Sequence, residues 1–341
     1  MAVTTSGSKR ITWIDLAKGF CIMLVVFTHV TGWVGEDFPF SDQAGAFRMP
    51  LYFILSGLFF KQYEGFVGFA KRKVNKLLIP FLFFFVVTVM LPYWVMVPDL
   101  KRLFAYPLKY LYLERTVMLN EPIWFLLCLF EVNLLFYLIQ WLAGAISTKR
   151  KTWLVVAFSL FLGCVGLTLG VTGRVIPFYL DTALSVLPFF AFGWWLFRHT
   201  DFLGSELKWQ RDLPLAVVCL LILCFLAVPV RWSHNEIPHD AVWVVYLCGI
   251  AGTMLVLLIS KVLKYLPGVS YWGRYSIMVL CVHYPLLTIL SKVLQRYISG
   301  VPLFIAVFVL TMLLCHLLIP VMRRFLPHVT AQKDVIPVSA T

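Results

Sequence analysis

Charge is what this sequence has least of. Asp, Glu, Lys and Arg make up 13% of 341 residues, roughly half of the quarter found in water-soluble domains, and the shortage runs along the whole length. Such a chain cannot coat a globule with polar surface, which excludes a soluble enzyme and any separate soluble domain. Acidic residues are the scarcer sign, 16 against 29 basic ones. The eight cysteines include no CxxC and no His at ligand spacing, so a redox pair and a metal site are both unsupported, and the cysteines read as small buried hydrophobes. Low-complexity tracts and internal repeats are missing too, which removes the usual mark of an inverted-repeat transporter. No small-residue cleavage site follows Ile11 to Val34, so that stretch reads as a retained helix rather than a signal peptide.

Apolar residues fill the space left by charge: 61% of the chain, with a mean hydropathy of +0.88. A spanning helix needs about 20 mainly apolar residues, and ten stretches approach that, near 12–33, 46–60, 77–97, 123–145, 153–171, 176–197, 213–230, 241–260, 274–291 and 301–322. The expected fold is an all-α polytopic transmembrane bundle of about ten spans, with one membrane domain over 1–326 and a short polar tail over 327–341 that frays. The second span is short and carries Arg48, so it is expected to be tilted, broken or sheltered inside the bundle, with a break at Pro50. With both termini cytoplasmic, nineteen Lys and Arg fall in cytoplasmic segments and eight in loops opposite, as the positive-inside rule requires. The net charge of +13 is thereby explained without nucleic acid. The segment from Pro98 to Pro122 reads as a lid or substrate-binding surface, or else as an interfacial loop.

Ionisable side chains at membrane depth are costly and mark function by default. In IDLAKGFCIMLVVFTHV, Asp15 and Lys18 share a helix face and can neutralise each other, the plainer alternative being an interfacial pair with Lys18 snorkelling outward. His29 lies eleven residues beyond Lys18, about 16 Å along the axis and within roughly 20° of the same direction. The plainer alternative for His29 is an interhelical hydrogen bond. Arg48 opens FRMPLYFILSG, whose Ser56 and Gly57 permit close helix approach. Lys71, Arg72, Lys73 and Lys76 then form a dense basic patch suited to phosphates or to anionic lipid headgroups. His283 reaches a depth similar to that of His29, and Asp181 begins the sixth span, as an acceptor ligand or a helix cap.

These segments resemble, in order, those of the acyltransferase-3 family of membrane O-acyltransferases, particularly its fucose 4-O-acetylase-like branch. WIDLAKGFCIMLVVFTH resembles the opening helix with its Arg-x10-His pattern, here with Lys18 for Arg. FRMPLYFILSG, KRKVNKLLIP, IWFLLCLF and GRYSIMVLCVHYPLL resemble the later motifs. The resemblance implies an acyl-CoA co-substrate, acetyl-CoA foremost, no tightly bound cofactor, no metal, and a polysaccharide or lipid-linked sugar acceptor (exopolysaccharide, capsule or lipopolysaccharide) at a bacterial inner membrane.

The expected roles follow. His29 is general base or acyl carrier, and Arg48 or Ser56 stabilises the oxyanion. Asp15, Lys18 and His283 complete the catalytic group; Lys18, Arg72, Lys73 and Lys76 bind the donor; Ser56, Trp124 and Asp181 meet the acceptor. A transporter or flippase using the buried charges as a relay is the alternative from another class, and a scaffold protein would leave His29 and Lys18 without a purpose.

Overall fold

The computed structural model describes residues 11–35, 38–63, 65–96, 105, 111 and 119–338. In hydrocarbon an unpaired backbone N–H or C=O is so costly that a spanning segment must satisfy its own groups, which leaves the helix as the default for long apolar stretches. Among the described residues, nine helical stretches are long and apolar enough to cross a bilayer, and none forms a strand.

In chain order the helices are α1 (Thr12–Val34), α2 (Ser41–Leu58), α3 (Gly65–Met96), α4 (Trp124–Ile146), α5 (Lys151–Val171), α6 (Leu180–His199), α7 (Trp209–Leu226), α8 (Val242–Leu263), the short α9 (Pro267–Arg274), α10 (Ser276–Leu294) and α11 (Gly300–Phe325). Helix α1 stands at the centre, packed on α2, α8, α9, α10 and α11. Gly35, in the left-handed region at φ 73°, ends it by returning its N–H to the Thr31 carbonyl.

Helix α2 corrects two sequence expectations. It starts at Ser41 rather than near 46, and it runs through Pro50 without a break. Its polar first turn and Arg48 disqualify it as a lipid-facing span, yet they are tolerated because α1, α6 and α8 enclose it. Lipid supplies no hydrophobic drive for helix association, so close contact depends on small residues. A Cβ on Gly57 would lie 2.0 Å from the Phe190 carbonyl oxygen, and one on Gly193 would lie 2.0 Å from that of Ile54. The α2–α6 crossing is therefore backbone on backbone. Gly19 and Gly273 do the same for α1 and α9, with a Gly273 Cβ only 1.8 Å from the Asp15 carbonyl oxygen.

Two further expectations change. The third span, expected near 77–97, starts at Gly65 and takes in the basic patch: Lys71, Arg72 and Lys73 end its first α-helical part and Lys76 sits in a π-helical turn, Val74–Leu78; such turns recur at functional sites. The C-terminal segment does not fray through residue 338. The Pro327 carbonyl accepts N–H bonds from Gln332 and Lys333, and Asn75 binds the backbone of Val335 and Ile336. Residues 339–341 lie outside the described residues, as does most of the proposed lid between Pro98 and Pro122.

Candidate active site

A cavity of about 300 Å³ sits at the basic end of the bundle. Lys18 of α1 and Arg72, Lys73 and Lys76 of α3 all line it; Lys76, three residues after Lys73 and four after Arg72, is the neighbour of both on the helix surface. Aromatic rings pack against three of these cations. Lys18 Nζ lies 5.3 Å from the Phe59 ring centre, the Arg72 guanidinium 4.5 Å from Tyr63, and Lys73 Nζ 5.3 Å from Phe69. Ser56, Asn133 and Ser276 add polar groups, and Tyr52 with Phe125, ring centres 5.2 Å apart, bounds the deeper end.

Beyond that end lies a second cluster. The rings of His29 and His283 stand 5.5 Å apart, and the Tyr284 ring meets His29 edge-on at 5.2 Å. His283 is fully buried and its Nδ1 lies 2.9 Å from the Val279 carbonyl oxygen. A carbonyl only accepts, so Nδ1 carries the proton, and in the neutral ring Nε2 is left as an acceptor. Among the described residues that Nε2 has no hydrogen-bond partner. Arg48 lies within electrostatic reach of His29 and of Glu121.

Three helices connect the two clusters in the same manner. On α1, Lys18 faces the cavity and His29 the histidine cluster. On α2, Tyr52 bounds the cavity and Arg48, one turn outward, lies within electrostatic reach of His29. On α10, Ser276 lines the cavity and His283 lies seven residues on, about 10 Å along the axis and within roughly 20° of the same direction. The cavity lining ends at Tyr52, Phe125 and Ser276, and the two imidazoles lie further along α1 and α10.

Proline and its replacement donor fix the α10 arm. Pro285 lies inside α10 and has no N–H for the Cys281 carbonyl one turn back. Asn120, fully buried, supplies it: Nδ2 donates to Cys281 O at 2.8 Å and to Thr88 Oγ1 at 3.0 Å. The same bond docks the turn that carries Glu121 against α10. Glu121 Oε1 in turn accepts from Ser233 Oγ at 2.9 Å, and Ser233 Oγ is 2.9 Å from His234 Nδ1. Ser233 and His234 belong to a hairpin closed by the Arg231–Glu236 bridge. Buried Asn235 pins that hairpin to α5 and α6 by bonding the Gly166 carbonyl and Ser185.

The sequence-derived candidates divide accordingly. Lys18, Arg72, Lys73, Lys76 and Ser56 share the cavity. His29, His283 and Arg48 share the second cluster. Ser56 is about two turns from Arg48, on the cavity side and not beside the histidines. Asp15 sits at the α1–α9 crossing. Asp181 is fully buried in the first turn of α6, and Trp124 is buried against Tyr179 and Phe125. Sequence reasoning missed Asn120, Glu121, Ser233, His234 and Tyr284. Glu121, separated from IWFLL only by Pro122, was the visible signal, being an acid at the mouth of an apolar span; the others become meaningful only through contacts across the fold.

Residues 11–319 match the model of the family described as acyltransferase domain, of the acyltransferase-3 type. No curated protein and no solved structure matches the chain.

Proposed function

Since this chain belongs to the acyltransferase-3 family and is a membrane acyltransferase, we propose that it takes an acyl group, acetyl foremost, from acyl-CoA and places it on a carbohydrate hydroxyl. The acceptor in this reading is a polysaccharide or lipid-linked sugar of the exopolysaccharide, capsule or lipopolysaccharide kind, as in the fucose 4-O-acetylase-like branch. The observation that carries it is the layout of α1, with Lys18 in a cavity of four cations and His29 paired with a buried histidine about 16 Å further along the same face. Family membership does not favour the transport alternative.

In this reading the donor's phosphates lie on Lys18, Arg72, Lys73 and Lys76, and its arm passes Tyr52 to bring the thioester carbonyl to His29. The sugar hydroxyl attacks that carbonyl carbon while an unprotonated nitrogen of His29 removes its proton. Arg48 faces the oxyanion. His283, with an acceptor Nε2 beside His29, receives the other N–H of the transient imidazolium and holds the ring in orientation, the part a carboxylate plays in other triads. Collapse of the tetrahedral carbon breaks the C–S bond, the thiolate takes the proton back from His29, and ester and CoA depart. Glu121, Ser233 and His234 form the acceptor-facing wall opposite, where a carboxylate, hydroxyl and imidazole offer bonds to sugar hydroxyls.

The test is transfer itself. Purified protein in lipid nanodiscs, supplied with acetyl-labelled CoA and glycan fractions, is expected to put label covalently on glycan. Uptake of unmodified substrate into vesicles, with no labelled glycan, would overturn the reading.

A further inference from the structure

The carboxylate of Asp334 lines the same cavity as the four cations. It comes from the far end of the chain and forms an ion pair with Lys76 at 3.0 Å. A compact turn delivers it: Thr330, fully buried, donates to the Leu326 carbonyl, Ala331 takes the left-handed region at φ 61°, and Lys76 Nζ also bonds the Ala331 carbonyl at 2.9 Å. Asn75, 1% exposed, then clasps the segment beyond, donating to Ile336 O and accepting from the N–H groups of Val335 and Ile336 at 2.9 to 3.0 Å. Adjacent residues of one π-helical turn therefore do two jobs. Asn75 anchors the tail by its backbone, and Lys76 receives the tail's negative charge.

The two contacts differ in permanence. The Asn75 clasp is buried and uses three backbone bonds, and leaving such groups unpaired is costly. The Lys76–Asp334 pair is open to water, with side chains 45% and 37% exposed, and pairs of that kind are weak and easily exchanged. A firmly tethered segment thus presents one loosely held carboxylate to a cationic cavity, in the position an anionic ligand would need.

We propose that residues 327–338 form a strap whose Asp334 occupies an anion subsite at Lys76 and is displaced when a phosphate-bearing ligand binds. The strap is a competitor built into the chain, and it lowers the affinity of the cavity for any phosphate-bearing ligand that reaches Lys76. This deepens the donor-site reading above and rests on it for the ligand's identity, though not for the subsite.

The experiment measures binding of CoA and, separately, of inorganic pyrophosphate to the full-length protein in nanodiscs, beside Asp334→Asn and a chain ending at Leu326. Asp334→Asn keeps the Asn75 clasp, so it reports on charge even where the shortened chain fails to assemble. The affinity of Asp334→Asn for CoA is expected to rise about two- to fivefold, the scale of one exposed ion pair, and the gain is expected to vanish in a Lys76→Met background. Unchanged or weaker CoA binding in Asp334→Asn would overturn the strap and assign the tail to building the site. If no form binds CoA, it is the donor reading that fails, and pyrophosphate decides the strap alone: tighter binding in Asp334→Asn supports it, and equal binding sinks it.

Discussion

Replacing Asn120 tests how the bundle holds its second histidine. The amide, fully buried, makes two bonds, to Cys281 O at 2.8 Å and to Thr88 Oγ1 at 3.0 Å. Asn120→Leu conserves much of the volume and removes both. The Cys281 carbonyl then has no substitute donor, because residue 285 is proline. An orphaned buried acceptor costs roughly 1–3 kcal/mol, while hydrogen bonds inside membrane proteins average nearer 0.6 kcal/mol with a maximum of about 1.7. The expected loss is therefore about 1–2 kcal/mol, which at roughly 2 °C per kcal/mol for a chain of this size lowers the melting temperature by about 2–4 °C. The assay is thermal unfolding in detergent, and it gains force in a Pro285→Ala background. Alanine restores the helical N–H to Cys281 O, so the same Asn120→Leu change should cost clearly less there. An identical loss in both backgrounds, or none in the first, would refute the account of Asn120 as the donor that replaces the proline's missing one.

Other perturbations address packing and the acceptor wall. Gly57→Val would drive a side chain into the Phe190 carbonyl at the α2–α6 crossing. Overpacking of this kind costs about 1–3 kcal/mol, and a reduced monodisperse fraction on size exclusion is expected, with Gly68→Val as the neutral control because its Cβ meets nothing within 4 Å. Ser233→Ala removes the hydroxyl between Glu121 and His234 and should raise KM for the acceptor about fivefold, with KM for the donor unchanged, since one neutral hydrogen bond contributes about 1 kcal/mol. A change in donor KM alone would show that this wall faces the wrong substrate.

Periodicity and hydropathy made the lipid-facing helices legible, because a spanning segment must be long, apolar and internally paired. The same criteria misplaced the start of α2. Ser41, Asp42 and Gln43 look like loop, and only enclosure by α1, α6 and α8 allows a polar turn and Arg48 to be helical there. Intrahelical geometry was readable too: Lys18 and His29 share a face of α1 by residue arithmetic alone. Contact between helices was not. Nothing in the order of residues brings His283 to His29, or Ser233 to a glutamate 112 positions earlier. The tail was misread as frayed because its polarity suggested solvent, whereas its backbone found a buried amide in α3.

Division of labour along α1 is the account's centre, and one kinetic comparison in the transfer assay tests it. Lys18→Met should raise KM for the donor by about tenfold or more, as loss of a charge-assisted bond of roughly 1.5–3 kcal/mol requires, while kcat stays within a small factor of the parent's. His29→Ala should do the reverse, lowering kcat by about 10²–10⁴ with donor binding intact. Wild-type kcat in His29→Ala, from protein present in normal amount in the membrane, would contradict the account.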